Sequence, residues 1–338
     1  MRKVLIVVPV LNEAKTISPV LESLLDGTEG REDLTLVVAD GGSTDGTQNI
    51  VARLSAGNPT IRLMNNPGRI QSAGVNLAVQ THGAGADVLI RCDAHAGYPP
   101  NFIGALLDTM DRTGADSVVV PMDTIGNGCV QNAIAWASNS VVGTGGSAHR
   151  GGRKSGFVDH GHHAAMRIAS FAGAGGYNSA FTHNEDAELD FRLRAFGAKI
   201  YLDSETRIEY YPRSSLGKLW TQYFNYGFGR LRTITRHPSS LRLRQFAVPL
   251  NLALVLLSIA LAPLTPIFLL WPALYLSILA AASVHAAITK RSVCGLLVGV
   301  AALVMHSSWA MGLFTAAITS PERRWQKADQ LPLAGVNS

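Results

Sequence analysis

Between Gln245 and Thr289 the chain carries no Asp, Glu, Lys or Arg, and a second uncharged stretch runs from Ser292 to Pro321. A helix needs about 20 apolar residues to cross a bilayer, and soluble helices rarely stay free of charge for this long. The first stretch holds two candidate spans, 246–262 and 266–287, joined by the Pro263-Leu264-Thr265-Pro266 turn. The second holds one, 294–318. A buried helical domain is the competing account. Composition favours the membrane: 47% of the 338 residues are hydrophobic and only 16% charged, low for a wholly soluble protein.

Charge is distributed accordingly. From Arg207 to Arg244 there are eight Arg or Lys and a single acid, Glu209. A basic band beside a membrane segment favours the cytoplasmic side and anionic headgroups. Its position makes the membrane, rather than nucleic acid, the partner. Lys290 and Arg291 also suit a cytoplasmic loop. Arg323, Arg324 and Lys327 would fall outside in a three-span topology, so either the last segment is re-entrant or its charges do not set orientation. Cys92, Cys129 and Cys294 are few and widely spaced. They predict neither a disulfide framework nor a metal cluster, as in a reducing compartment. The N-terminal apolar run is too short for a signal sequence and reads as a first strand.

Upstream of the band the pattern changes. Residues 4–10, 34–39, 61–64, 87–92, 116–121 and 198–202 read as strands; 16–25, 46–55, 100–112 and 184–196 read as helices, and within NPGRIQSAGVNLAVQ a loop leads into another. Such βα alternation implies a mostly parallel sheet covered on both faces. The stretch VVADGGSTDGT (37–47) delivers Asp40 from a buried strand to a tight turn. Carboxyl ends of strands are where open α/β sheets bind ligands. Gly41 and Gly42 let a ligand approach the backbone, and Ser43 or Thr44 can cap the next helix. An ordinary capped turn is the plain alternative. Residues 143–157, GTGGSAHRGGRKSGF, read as a mobile loop carrying Arg150, Arg153 and Lys154.

Other carboxylates sit at suggestive places. Asp93 follows a strand, and His95 lies two residues on; both can face one divalent ion, although Asp93 can also simply cap a helix. In NEDAELDFRLR, Asn184 can cap a helix whose first turn holds Glu185 and Asp186. Acids early and bases late suit the helix dipole, and a carboxylate at a pocket mouth can act as general base. His160, His162 and His163 match no standard zinc spacing and suit polar contacts to a sugar or phosphate. Trp220, Phe224 and Phe228 would form one face of an interface helix that also carries Gln222 and Arg230.

Taken in order, PVLNE (9–13), DGGSTDGT (40–47), NPGRIQSAGVNLAV (66–79), DAHAGYPPNF (93–102) and NED (184–186) resemble the inverting family 2 glycosyltransferases of GT-A fold. Within that family the likeness is to membrane-bound β-1,3-glucosyltransferases of succinoglycan-type exopolysaccharide assembly. The resemblance implies a GT-A domain over 1–211, an interface segment over 212–244, transmembrane helices over 245–320 and a polar tail over 321–338. It places the chain in the inner membrane, with its catalytic domain facing the cytoplasm. Pro9, Asn12 and Glu13 would line the nucleoside pocket, Asp40 would contact uracil or ribose, and Arg69 would lie near the nucleotide. Asp93 would be the acid of the DXD motif, holding Mn²⁺ or Mg²⁺. The chain departs from that motif at His95, which either ligates the ion or holds a water. Asp186 would be the catalytic base. Arg150, Arg153, Lys154, Glu185, Gln222 and Arg230 are candidate contacts to acceptor or phosphate. Gln222 and Arg230 depart from the QXXRW of processive relatives in spacing and in the missing Trp.

The implied reaction takes a UDP-sugar and a polyprenyl-diphosphate-linked sugar, alongside other polysaccharide-assembly enzymes. Transfer to polyprenyl phosphate, or a membrane-anchored nucleotide-sugar-binding scaffold without turnover, are the alternatives. A transporter is disfavoured because His285 and His306 are the only ionisable intramembrane groups. A dehydrogenase is disfavoured because no G-x-G-x-x-G follows the first strand.

Overall fold

A computed structural model describes residues 2–145 and 154–335. The elements run β1 (Val4–Val10), α1 (Ile17–Leu25), β2 (Leu34–Asp40), α2 (Thr47–Gly57), β3 (Ile61–Asn65), α3 (Gln71–His82), β4 (Val88–Arg91), β5 (Ala96–Gly97) and α4 (Phe102–Thr113). There follow β6 (Ser117–Val119), β7 (Met122–Thr124), α5 (Cys129–Ser138), α6 (Val141–Thr144), β8 (Gly156–Phe157), β9 (His163–Arg167), α7 (Ile168–Gly173), α8 (Glu185–Ala195), β10 (Ile200–Leu202) and β11 (Ile208–Tyr210). The last helices are α9 (Leu216–Arg236), α10 (Ala247–Leu261), α11 (Leu270–Thr289) and α12 (Val298–Thr319). They divide into two compact units: Met1–Met122 with Gly151–Tyr210 and Gln326–Ser338, and Asp123–Arg150 with Tyr211–Trp325.

The first unit is built on a sheet of order β3-β2-β1-β4-β9-β6-β10-β8. β1 pairs in parallel with β2 and β4, and β2 with β3. VLIVVPV and LTLVVAD are almost wholly apolar because parallel strands are buried on both faces. Alternation then sorts the side chains. Val4, Ile6 and Val8 pack with α1 and α4, whereas Leu5 and Val7 pack with Val75 and Val79 of α3, Phe171 of α7 and Leu189 of α8. Several short strands escaped the sequence reading: β5, β7, β8, β9 and β11. β9 lies antiparallel between β4 and β6, pairing Leu89 and Ser117 with Met166. Because β2 and β4 flank β1 on opposite sides, the chain reverses its direction of travel across the sheet there. The carboxyl ends of these three strands therefore form the crevice where such sheets take ligands.

The second unit is helical. Ser215 caps α9, its Oγ accepting from the Lys218 N–H at 3.3 Å. α9 and α12 run side by side with their backbones in close approach. A Cβ on Gly227 would meet the Trp309 carbonyl at 1.9 Å, and one on Gly312 would meet the Phe224 carbonyl at 1.9 Å, so small residues at both positions permit the contact. The face bearing Phe224 and Phe228 is thus partly covered by protein. At the other end Arg232 and Arg236 pair with Glu322 at 2.9 and 3.6 Å. Cys129 and Cys294 form a disulfide, against the expectation from their spacing. A separation of 165 residues conceals that α5 packs beside the segment leading into α12: Ala133, Ile134 and Ala137 share a cluster with Val298, Ala301 and Met305.

Two helical stretches, Pro266–Thr289 and Val293–Thr319, are long and apolar enough to cross a membrane; the helix Ala247–Leu261 is shorter. The two long ones differ. Only 11% of the apolar window in the first is buried within the protein, against 44% in the second.

Candidate active site

The site grows from three strand ends in the first unit. β1 runs out into Asn12, whose backbone is left-handed (φ 59°). That turn is fastened to the loop after β2. The Asn12 N–H donates to Ser43 Oγ (2.9 Å), the Thr44 N–H to Asn12 Oδ1 (2.9 Å) and the Glu13 N–H to Thr47 Oγ1 (2.9 Å). Pro9 is the one residue of β1 that is not fully buried. Ser43 is therefore spent on Asn12 rather than on a helix cap. The N-cap of α2 is Gly46, without a side-chain cap, and Asp45 Oδ1 instead accepts from the Thr47 N–H at 3.1 Å.

Asp40 ends β2 at 1% exposure. Its Oδ1 accepts from the N–H groups of Gly42 and Ser43 (both 2.8 Å) and from Gln48 Nε2 (2.7 Å). Burial opposes its ionisation, but the bonds from Ser43, Gln48 and Gly42 outweigh this and hold the carboxyl below the usual range. Its Oδ2 is buried with no partner. A buried acceptor left unmade costs about 1–3 kcal/mol, and a ligand N–H or O–H would satisfy it. The turn at Arg69 (φ 60°) closes over this point; a Cβ on Gly41 would lie 3.0 Å from the Arg69 carbonyl. The Arg69 side chain is exposed.

Beyond β4 the charges converge. Arg91, its side chain 4% exposed, places Nη2 3.0 Å from Asp93 Oδ1 and Nη1 3.2 Å from Asp186 Oδ2. His162 stands between the same acids, with Nε2 3.4 Å from Asp93 and Nδ1 3.8 Å from Asp186. Tyr177 donates its hydroxyl to Asp186 Oδ1 at 2.9 Å. Burial resists the charge on Asp93, but Arg91 and His162 overcome it and hold the carboxyl well below the usual carboxylate range. Glu185 stands the other way. Burial, then the charge of Asp186, push its carboxyl up to about 7.

His95 reaches back to the first strand end, its Nδ1 3.1 Å from Glu13 Oε1. Burial raises Glu13, but the bonds from His95 and Thr16 more than offset it. Four acids, Asp40, Glu13, Asp93 and Asp186, are thus set at the strand ends, with His95 bonded to Glu13 among them. One turn further along α8, Asp190 accepts from His160 Nδ1 at 2.5 Å. His162–Asp186 and His160–Asp190 accordingly stitch the 160–162 segment to α8. Asn184, left-handed at φ 66°, precedes α8 without a side-chain cap, so its expected capping role is not met.

Arg150 and Arg153 fall outside the described residues. Lys154 is exposed. Gln222 and Arg230 belong to the helical unit. There Gln222 Nε2 donates to Tyr226 Oη at 3.0 Å, and Arg230 Nη2 donates to the Ser240 carbonyl (2.5 Å) and Gln245 Oε1 (3.1 Å). Arg91 and Tyr177 were missed from sequence. Arg91 had a signal: a charge on the last residue of a buried strand needs a partner. Tyr177 had none.

The model of the family "Glycosyl transferase family 2" matches residues 5–173. The succinoglycan biosynthesis protein ExoA of Rhizobium meliloti (strain 1021) is 44% identical over 92% of this chain and 93% of its own length. A Methanococcus voltae dolichyl N-acetyl-alpha-D-glucosaminyl phosphate 3-beta-D-2,3-diacetamido-2,3-dideoxy-beta-D-glucuronosyltransferase is 26% identical, covering 66% of this chain and 71% of its own. Among solved structures, the mannosyltransferase PcManGT of Pyrobaculum calidifontis, in complex with GDP-Man and Mn²⁺, superposes with TM-score 0.60 at 17% identity over 95% of this chain and 89% of its own; that likeness is one of fold. A GT-A sheet with its acids at the strand ends, a matching family model over half the chain and a relative of near-equal length together settle the assignment: the chain is a glycosyltransferase and belongs to glycosyl transferase family 2.

Proposed function

We propose that the chain transfers a sugar, glucose in β-1,3 linkage, from a UDP-sugar to a sugar carried on a polyprenyl diphosphate. The setting is exopolysaccharide synthesis, with the catalytic unit on the cytoplasmic face of the inner membrane. The observation that carries the reading is the single guanidinium of Arg91, which ties Asp93 to Asp186. It brings the acid suited to a donor diphosphate beside an acid suited to deprotonate an acceptor. The relatives support it: one serves succinoglycan biosynthesis, and the other extends a dolichyl-phosphate-linked sugar through a 3-beta bond.

In this mechanism Asp40 receives a donor hydrogen of uracil or ribose on its unpartnered Oδ2, with Pro9, Asn12, Glu13 and Arg69 around the nucleoside. Asp186 Oδ2 takes the proton of the acceptor hydroxyl. The acceptor oxygen forms a bond to the anomeric carbon as the bond to UDP breaks, and the bonding pair leaves with the diphosphate on the opposite face. An α-linked donor then gives a β-linked product. Tyr177 and Arg91 hold the base in one orientation, an arrangement that lowers the barrier through positioning.

The residues suit a divalent ion. Among the described residues no cluster of three or more His, Cys, Asp or Glu is placed to hold a metal, and in this reading the protein would supply Asp93 and His95. One carboxylate and one imidazole, with diphosphate and water completing the shell, is a donor set that Mn²⁺ accepts. Once bound, such an ion neutralises charge that builds on the leaving diphosphate.

Asp186→Asn tests the reading. Transfer should fall to below a few per cent of wild type, while UDP-sugar binding measured by calorimetry stays within about threefold. Substantial residual transfer would sink the base assignment and favour polyprenyl phosphate as acceptor, because a phosphate nucleophile needs no general base. Tight UDP-sugar binding in wild type with no sugar release, across a panel of donors and lipid-linked acceptors with and without EDTA, would instead favour a scaffold.

A further inference from the structure

We infer that α12, although long and apolar enough to span, does not cross the bilayer, and that the helical unit enters lipid through the α10–α11 hairpin alone. The first argument is chain length. Cys129 follows Met122 of the catalytic unit by seven residues and is bonded to Cys294, four residues before α12 starts. Seven extended residues reach at most about 25 Å, less than the ~30 Å hydrocarbon core. The start of α12 is therefore on the catalytic unit's side. The disulfide is not needed for this step, since Ala133, Ile134 and Ala137 of α5 pack on Val298, Ala301 and Met305.

The far end of α12 gives the same answer. Thr319 is seven residues from Gln326, where the catalytic unit resumes. Lys327 donates from Nζ to the Ala195 carbonyl at 2.7 Å, and the Leu333 N–H donates to the Ala172 carbonyl at 2.8 Å. Both ends of α12 are thus tethered to one side. Its flanks agree. α9, which carries Lys218, Arg230, Arg232 and Arg236, lies along it through the Gly227 and Gly312 contacts, and His306 Nε2 lies 2.8 Å from the Val142 carbonyl of α6. A spanning α12 would drag these charges and the short α6 into hydrocarbon.

The hairpin has the opposite character. Leu250, Leu257, Leu264, Leu270, Leu274 and Ile288 are each more than half exposed, on a segment with no formal charge from Gln245 to Thr289. That much apolar surface, bounded by Arg242 and Arg244 before it and Lys290 and Arg291 after it, fits a lipid bilayer with anionic headgroups. Lys290, Arg291, Arg323 and Arg324 then lie on the same side as the basic band. The conflict that three spans create among the positive charges disappears.

Single cysteines at Glu29, Lys290 and Arg323, in full-length protein in native membranes, decide the matter with a membrane-impermeant maleimide. All three should label from the same face, in inside-out vesicles and not in intact cells, or the reverse for all. Labelling of Arg323→Cys from the face opposite to Glu29→Cys would overturn the inference. A bimane on Leu257→Cys should be quenched several-fold more by doxyl-lipids than one on Glu29→Cys; equal quenching would remove the hairpin from lipid and overturn it equally. Neither readout depends on catalytic activity.

Discussion

The Arg91 guanidinium lies 3.2 Å from the Asp186 carboxylate, a bond between residues 95 positions apart that fixes the start of α8 to the end of β4. The same side chain holds Asp93 at 3.0 Å. It is almost fully buried, so it acts where water screens little. Arg91→Met would leave two acids facing each other without their shared cation. Breaking a buried pair costs about 3–5 kcal/mol, and a drop in unfolding free energy of that order is expected from urea titration. The sign with pH follows from Asp93, whose depressed folded value means that the stability it contributes is present above its unfolded value near 4 and is lost only in strong acid. The deficit of Arg91→Met should therefore be full at pH 7 and shrink as pH falls below about 4. Arg91→Lys, which keeps the charge but not the fork, should recover part of the stability and little of kcat. An unfolding free energy for Arg91→Met equal to that of wild type at pH 7 would contradict the role.

Asp40 makes a different prediction because its Oδ2 is buried without a protein partner, which is where the proposed mechanism seats a donor hydrogen of the nucleotide. Asp40→Asn keeps the volume but replaces one acceptor with a donor. UDP affinity should fall about 10- to 100-fold, the value of one or two charge-assisted bonds at ~1.4 kcal/mol per decade. Catalysis at saturating donor should change far less, since Asp93 and Asp186 are untouched. Calorimetric titration with UDP, compared with kcat at high donor, separates the two effects. A loss confined to kcat would show that Asp40 does not hold the nucleotide.

Which parts were readable from sequence follows from range. Asp40, Asp93 and Asp186 each announce themselves locally, as an acid at the end of an apolar run or in the first turn of a helix. The sheet was legible because parallel strands are apolar on both faces and stand out against amphipathic helices. What failed depended on distant partners. β9 is short and antiparallel, with no periodicity of its own. Arg91 and Tyr177 matter only because α8 folds onto β4. The Cys129–Cys294 bond joins segments 165 residues apart. The expected caps at Ser43 and Asn184 failed because tertiary contacts used the positions otherwise: Ser43 bonds Asn12, and Asn184 turns left-handed. Helices α9 and α12 were legible as helices, but their packing on each other was not, since composition alone does not say whether a helix faces lipid or protein.

Glu185 offers a test of electrostatics in the crevice. Its carboxyl is pushed up to about 7 by burial and by Asp186, against the pull of Arg91, with Asp93 adding to the rise. A raised acid weakens the folded state once it must ionise, so stability should decline as pH rises from about 4.5 through 7. Glu185→Gln removes that term. The variant should match wild type near pH 5 and exceed it at pH 8, by at most about 3 kcal/mol, the linked value of the shift. Thermal unfolding at the two pH values measures the difference. A variant less stable than wild type at pH 8 would mean that the Glu185 charge is compensated by a partner in the folded protein.

The tail after the last helix makes the final prediction. Gln326–Ser338 is part of the catalytic unit, and its contacts gather behind α8 and Asp186. Leu333 packs against the cluster containing Phe171, Tyr177 and Leu189. Lys327 caps the carbonyl of Ala195, the last residue of α8, and sits over the Phe196 ring at 4.7 Å. Gly176, beside Leu333, offers its carbonyl to Arg192 at 2.8 Å, and Arg192 is paired with Glu188 inside α8. The tail therefore braces both the helix that carries Asp186 and the loop that aims the Tyr177 hydroxyl at it. Leu333→Ala should cost about 1–2 kcal/mol, the smaller end of core truncations because the site is only half-buried. Deletion after Trp325 should cost more and should lower kcat about tenfold while leaving UDP affinity near wild type, since the nucleotide pocket proposed at β1 and β2 lies on other elements. A truncated enzyme with unchanged kcat and unchanged melting temperature would show that the tail rests on the domain without bracing it.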